Sequence, residues 1–207
     1  MEFWDKVAGL YDIAESFNGK VYRKMTETVT ELTPAGARVL DIAAGTGQLS
    51  LAAAKKADSV LCTDMSEKML EKAKRNAMRK GVVNIDYATR NIFHLPDEDE
   101  TYDVVIAGNV LHLLENPEDA VRELWRVTKR GGRILLPTFV LGKCSPTSEE
   151  RFKNVSIGFY KLIGFDPVTD YTPAQYRKML TDCGLGEVRA KLIRGIIPCC
   201  FAVILKK

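Results

Sequence analysis

A chain of 207 residues with 46% hydrophobic and 28% charged side chains is long enough for one sizeable hydrophobic core, and its composition is that of an ordinary globular protein, with no pull toward disorder or a fibre. Thirty Lys and Arg against 27 Asp and Glu leave a formal charge of +3, too small an excess to argue for a nucleic-acid partner. Five scattered cysteines, Cys62, Cys144, Cys183, Cys199 and Cys200, lack the paired spacing of a metal or redox motif and fit a reduced, cytoplasmic setting.

The N-terminus carries Glu2, Asp5 and Lys6 where a secretion signal needs an apolar run. Residues about 2–33 read as two helical segments, the first with Phe3, Val7, Leu10 and Tyr11 at helical spacing, and Pro34 and Gly36 end the second. Then "ARVLDIA" predicts a buried strand, "GQLSLAAAKKA" a helix, "SVLCTD" a strand and "SEKMLEKAKRNAMRKG" a helix closed by Gly81. In that last helix Met69, Leu70, Ala73 and Ala77 make the apolar stripe, so its basic residues form a solvated face. "VNIDYATR" alternates and "YDVVIAGN" is continuously apolar, as a strand buried on both sides is.

"NPEDAVRELWRVTKRGG" has Asn116 as N-cap, Pro117 in the first turn and Gly131 and Gly132 at its far end. "RILLPTFV" follows as a fifth strand that Pro137 should weaken. Residues about 143–170 break the rhythm with "KCSPTSEE" and an aromatic-rich "RFKNVSIGFYKLIGF", an insertion that either lines a substrate pocket or packs as a cover. "TPAQYRKMLTDCG" opens with a capping box from Thr172 to Gln175. "GEVRAKLIR" and "CCFAVILKK", separated by only "GIIP", should form an antiparallel hairpin. The apolar "IIPCCFAVIL" is about half the roughly 20 residues that span a bilayer, so no stable membrane insertion is expected. The sum is a single α/β domain over 1–207: a Rossmann-like, doubly wound, seven-stranded sheet, mostly parallel with a C-terminal antiparallel hairpin and helices on both faces.

Ligands of such sheets bind beyond the carboxyl ends of the strands. Gly45 and Gly47 let backbone amides approach a ligand at the start of a helix, and Asp64, at the end of the second strand, suits the two hydroxyls of a ribose. A nicotinamide dinucleotide and S-adenosylmethionine both fit those parts. The dinucleotide fingerprint needs G-x-G-x-x-G, whereas "GTGQLS" ends on Ser50. Asp41, directly before the turn, would face a pyrophosphate badly but suits the ammonium of an amino acid.

In order and spacing, "VLDIAAGTGQLS", "CTDMSEKML", "RNIFHLP" and "YDVVIAGNVLHLLENPEDAVRELWRVTKRGGRILL" resemble the motifs of class I S-adenosylmethionine-dependent methyltransferases, within them the branch of the ubiquinone/menaquinone-biosynthesis enzymes. The resemblance implies that Asp41, Gly45 and Gly47 cradle the methionyl part. Ala43 belongs to the same turn, where most members have the first glycine. By the same resemblance Asp64 takes the ribose hydroxyls, Met65 lies against adenine, Asn91 and Ile92 read the adenine edge, and Asn109 closes the methionyl side. Asn91 departs from the aspartate frequent at its position, but its amide oxygen can still accept the adenine amino group. Tyr11 becomes a cofactor-covering residue of an N-terminal helical lid over about 1–33.

Methyl transfer from a sulfonium is an in-line displacement that requires no metal. His112, in "NVLHLLEN", is the candidate general base, with a structural hydrogen bond as its competing role. The expected activity is methyl transfer to a small-molecule acceptor, a quinone precursor or lipid-like compound. The alternatives are an NAD(P)-dependent oxidoreductase on a Rossmann-like sheet and a methyltransferase-fold protein that binds the cofactor without turnover.

Overall fold

The computed structural model describes residues 18–140, 169 and 171–207; Tyr11, the first predicted helical segment and nearly all of the 143–170 insertion lie outside them. Helix α1 (Gly19–Leu32) buries Val21, Met25 and Val29, one residue per turn along a single stripe. Alternating elements follow: β1 (Arg38–Ile42), α2 (Gln48–Ala53), β2 (Ser59–Asp64), α3 (Glu67–Arg79), β3 (Ile85–Thr89) and β4 (Tyr102–Ile106). A short 3-10 turn (Leu111–Leu113), α4 (Pro117–Val127), β5 (Thr128–Phe139), α5 (Pro173–Asp182), β6 (Glu187–Ile193) and β7 (Cys199–Leu205) complete the described chain.

The seven strands make one sheet in the order β3-β2-β1-β4-β5-β7-β6. All pairs from β3 to β5 are parallel, and β7 is antiparallel to both its neighbours. The expected mostly parallel sheet with a C-terminal antiparallel hairpin is therefore present, with β7 inserted between β5 and β6. Period-two alternation sorts each strand's side chains into two cores. Leu40, Val105, Ile134 and Cys200 pack under α4 and α5, through Val121, Leu124 and Tyr176. Val39, Val104, Leu135 and Cys199 pack under α1 and α2, through Met25, Val29 and Ala52. Cys199 and Cys200 thus point to opposite faces, as adjacent strand residues must.

Helix α3 buries Met69, Leu70, Ala73 and Ala77 as expected, and Ser66 caps it by accepting the Met69 N–H. The capping box at Thr172 is complete, with Gln175 returning the bond to the Thr172 backbone. Two readings of the sequence are corrected. The helix after Asn116 does not run to the glycine pair: it ends at Val127 and β5 begins at Thr128. There the Thr128 hydroxyl donates to the Leu124 carbonyl, and Lys206 Nζ donates to the carbonyls of Trp125 and Thr128 at 2.9 and 2.7 Å. These bonds satisfy acceptors that another helical turn would have used. Pro137 does not take β5 out of the sheet, because the strand pairs with β7 through Phe139. The Pro137 carbonyl accepts the Asn109 N–H, so its donorless nitrogen faces the side where β4 has already ended, the position a strand proline tolerates.

Candidate cofactor site

Strands β1 and β4 are sheet neighbours, and α2 after β1 packs on one face while α4 after β4 packs on the other. The chain therefore parts at their carboxyl ends and opens a crevice there. After Ile42 the backbone enters the left-handed region at Ala43 (φ 54°), Gly45 (φ 55°) and Gly47 (φ 78°). That path coils the turn tightly under the first turn of α2, with Gly47 in the N-cap position. Gly47 is also a close approach, since a Cβ there would sit 3.0 Å from that of Ala73.

Asp41 is 1% exposed. Its Oδ2 accepts the Ser50 hydroxyl at 2.6 Å, and Asp41 is among the residues that line a small cavity of about 40 Å³, with Tyr22, Gln48 and Asn109. Burial, opposed by the Ser50 hydrogen bond and assisted by the negative charge of Asp64, pushes its pKa up to about 7. A buried acid in that condition is suited to a cationic ligand group, which would restore its ionised form. The Asp64 carboxylate spans two loops, accepting the Gly45 N–H at 2.8 Å and the Ser66 N–H at 2.9 Å.

A second cavity of about 290 Å³ adjoins the first and shares Ala43, Gly45, Gly108 and Asn109 with it. Of the residues singled out in the sequence, Ala43, Gly45, Asp64, Met65, Asn91, Ile92 and Asn109 all line it. Met65 is 47% exposed, an unusual position for a large apolar side chain unless something covers it. Asn109 is left-handed as well (φ 54°); its Oδ1 accepts the Phe139 N–H at 3.0 Å, which ties the end of β4 to the end of β5. Asn91 is exposed, and its Oδ1 already accepts the Phe93 N–H within its own loop. That oxygen therefore has one lone pair engaged before any ligand arrives.

Gly47 lines neither cavity but shapes the turn that does. His112 also lines neither. In the 3-10 turn, with about three residues per turn, Val110 and Leu113 share the face that meets the larger cavity, and His112 is carried to another side, where it is 4% exposed. Burial pushes its pKa down to about 4, so the imidazole is neutral at physiological pH. The sequence reading missed Gly108, Phe93, Leu114 and Tyr22. Gly108, immediately before Asn109, was the one with a legible signal, since it ends the fourth apolar run.

These residues fit S-adenosylmethionine: an acid at the methionyl end, a glycine turn without side chains, a carboxylate between two loops, and apolar walls around the remaining space. A family profile described as a methyltransferase domain matches residues 40–136. The chain is 33% identical over 170 residues to the ubiquinone/menaquinone biosynthesis C-methyltransferase UbiE of Ectopseudomonas mendocina, a match covering 79% of this chain and 66% of that protein. It is 34% identical over 140 residues to the demethylmenaquinone methyltransferase of Clavibacter sepedonicus, covering 66% of this chain and 56% of that one. The match thus spans little more than half the length of several such relatives. Among solved structures, an S-adenosylmethionine-dependent methyltransferase from Aquifex aeolicus superposes with a TM-score of 0.64 at 19% identity, over 87% of this chain and 89% of that one. The [4+2]-cyclase SpnF superposes with a TM-score of 0.58 at 21% identity, over 88% and 80%, so the fold alone carries no argument about a reaction. It is the motifs on this fold, shared with the quinone-pathway enzymes, that mark residues 40–136 as a methyltransferase domain of the class I, S-adenosylmethionine-dependent kind, resembling the ubiquinone/menaquinone branch.

Proposed function

We propose that this chain transfers a methyl group from S-adenosylmethionine to a small, partly apolar acceptor of the quinol kind. The observation that carries the reading is the buried acid Asp41 in the lining of a cavity at the mouth of the left-handed turn from Ala43 to Gly47. Asp41 would hold the ammonium of the methionyl part, Asp64 the ribose hydroxyls, and Met65, Asn91 and Ile92 the adenine. When bound, the cofactor supplies a methyl group on a positively charged sulfur, already activated for displacement. The contribution of the protein is to fix that sulfur against the acceptor and to exclude water from the crevice. Leu113, Leu114 and Val110 line the cavity as apolar wall and suit a planar apolar acceptor better than a charged one. The N-terminal segment and the 143–170 insertion are proposed to complete the acceptor side, and no proton transfer is assigned to His112. A cytoplasmic location accords with this chemistry; among the described residues no helix is long and apolar enough to cross a membrane.

The test is a calorimetric titration with S-adenosylhomocysteine and with NADH. It is followed by labelled cofactor offered with demethylated quinols, phenols, thiols and amines. Binding of S-adenosylhomocysteine together with label in the quinol supports the proposal. Binding of NADH in its place overturns it, and binding without label in any acceptor reduces the protein to a cofactor binder.

A further inference from the structure

The loop between β3 and β4 carries Asn91, Ile92 and Phe93 into the cavity wall, and at that end its internal bonds are short-range, an isolated bridge between Asn91 and His94 and the Phe93 N–H to Asn91 Oδ1. Its anchor lies on α4. Glu123 and Arg126 stand one turn apart on that helix, and Arg126 donates Nε to Glu123 Oε2 and Nη2 to Glu123 Oε1, both at 2.9 Å. The second Nη2 hydrogen goes to the Leu95 carbonyl at 2.9 Å. Nη1 serves the Asp97 carbonyl and Asp99 Oδ1, each at 2.8 Å. All five hydrogens of the guanidinium are thereby placed. Glu123 Oε1 in turn accepts the Leu95 N–H at 2.8 Å, so both backbone groups of Leu95 are held by the pair. Leu95 is 6% exposed and Ile92 5%, so these two side chains root in the core a stretch whose Asn91 and His94 stay exposed. With the Glu123 and Arg126 side chains only 17% and 31% exposed, that pair is partly shielded in a way that surface pairs are not, whereas the Asp99 carboxylate is 74% exposed.

We propose that Glu123 and Arg126 are positioning residues that set the cofactor selectivity of the site by fixing the backbone of residues 91–93 where it reads the adenine edge. The inference rests on the reading that this loop meets the adenine. A planar fork holding two carbonyls and a bidentate carboxylate sets the loop's height and tilt together; a lysine, with one nitrogen, does not.

The experiment compares Arg126→Lys, Arg126→Met and Glu123→Gln with the parent chain, reading affinity for S-adenosylhomocysteine and for its hypoxanthine counterpart, S-inosylhomocysteine. Hypoxanthine reverses the hydrogen-bonding character of the base edge, so the ratio of the two affinities reports loop placement and not general stability. Arg126→Lys and Arg126→Met are expected to weaken S-adenosylhomocysteine on the order of tenfold, the effect of about one misplaced hydrogen bond, and to bring the ratio toward one. Glu123→Gln, which keeps an acceptor for the Leu95 N–H, should fall between. Variants that melt earlier yet keep the parental ratio overturn the proposal and leave the array a structural brace. Ile92→Ala separates the two levels: if it too leaves S-adenosylhomocysteine affinity unchanged, the adenine reading of this loop is what fails.

Discussion

Two buried groups near the crevice titrate in opposite directions, and the pH profile of the ligand-free protein follows from their sum. Asp41 is raised from 3.8 to about 7 on folding. The folded chain therefore binds a proton there that the unfolded chain has lost, and this stabilisation is complete below pH 3.8 and disappears as pH rises through about 7. His112 is lowered from 6.5 to about 4. Here the unfolded chain binds the extra proton, so stability is complete above pH 6.5 and is lost as pH falls through about 4. Each group contributes about 1.4 kcal/mol per pH unit inside its window. Between about pH 4 and 6.5 the two slopes oppose, and stability should be nearly flat. Asp41→Asn, which keeps an oxygen for the Ser50 hydroxyl, removes one of them. The variant should gain stability with pH at about 1.4 kcal/mol per unit up to pH 6.5. Near pH 8 it should exceed the parent by as much as about 4 kcal/mol, because the parent there buries an ionised carboxylate. Urea unfolding midpoints at half-unit pH steps and constant ionic strength measure both. Identical pH slopes for parent and variant would refute the reasoning. In the same variant S-adenosylhomocysteine binding should collapse, and in the parent that binding should tighten as pH rises toward about 7.

Three further outcomes are expected. Ala43→Gly should be neutral to stabilising by up to about 1 kcal/mol in urea unfolding, since relief of a left-handed alanine worth about 1–2 kcal/mol exceeds the extra chain entropy of glycine; Ala43→Val, β-branched at the same φ, should destabilise. Met65→Ala should leave the melting temperature almost unchanged, because the side chain is 47% exposed, while weakening S-adenosylhomocysteine about fivefold in titration through lost apolar contact. Lys206→Met removes a donor from the Thr128 carbonyl and one of the two donors of the Trp125 carbonyl, which keeps the Thr128 N–H, and should cost about 1–2 kcal/mol, read as a lower urea midpoint at unchanged slope, with cofactor affinity retained.

Most of this architecture was legible because local rules and long-range packing agree. The buried runs of β1, β2 and β4, the stripe of α3 and the Thr172 capping box all point the same way at every scale. The place of β7 between β5 and β6 was not legible, since β5 and β7 are separated by some 60 residues and no local pattern encodes which neighbour an all-apolar strand chooses. The junction at Val127 and Thr128 was missed because the groups that end the helix come from Lys206, far along the chain. The site divides similarly. Asp41, Gly45 and Asp64 are set by strand ends and could be read; the facing of His112 depends on the 3-10 winding of its turn, and the inward bond of Asn91 on a loop anchored by another helix.

The left-handed residues at the ends of β1 and β4, Ala43 and Asn109, mean that the crevice is drawn by the route of the main chain more than by what hangs from it. A site made that way resists exchange of its wall residues and is fragile to any change of chain length. A single residue inserted after Ile42 or Gly108 would rotate the following turn and misdirect the amides at the mouth. Under the proposed function, variation in acceptor preference would therefore be more readily accommodated in the flanking segments, where added length need not disturb this turn.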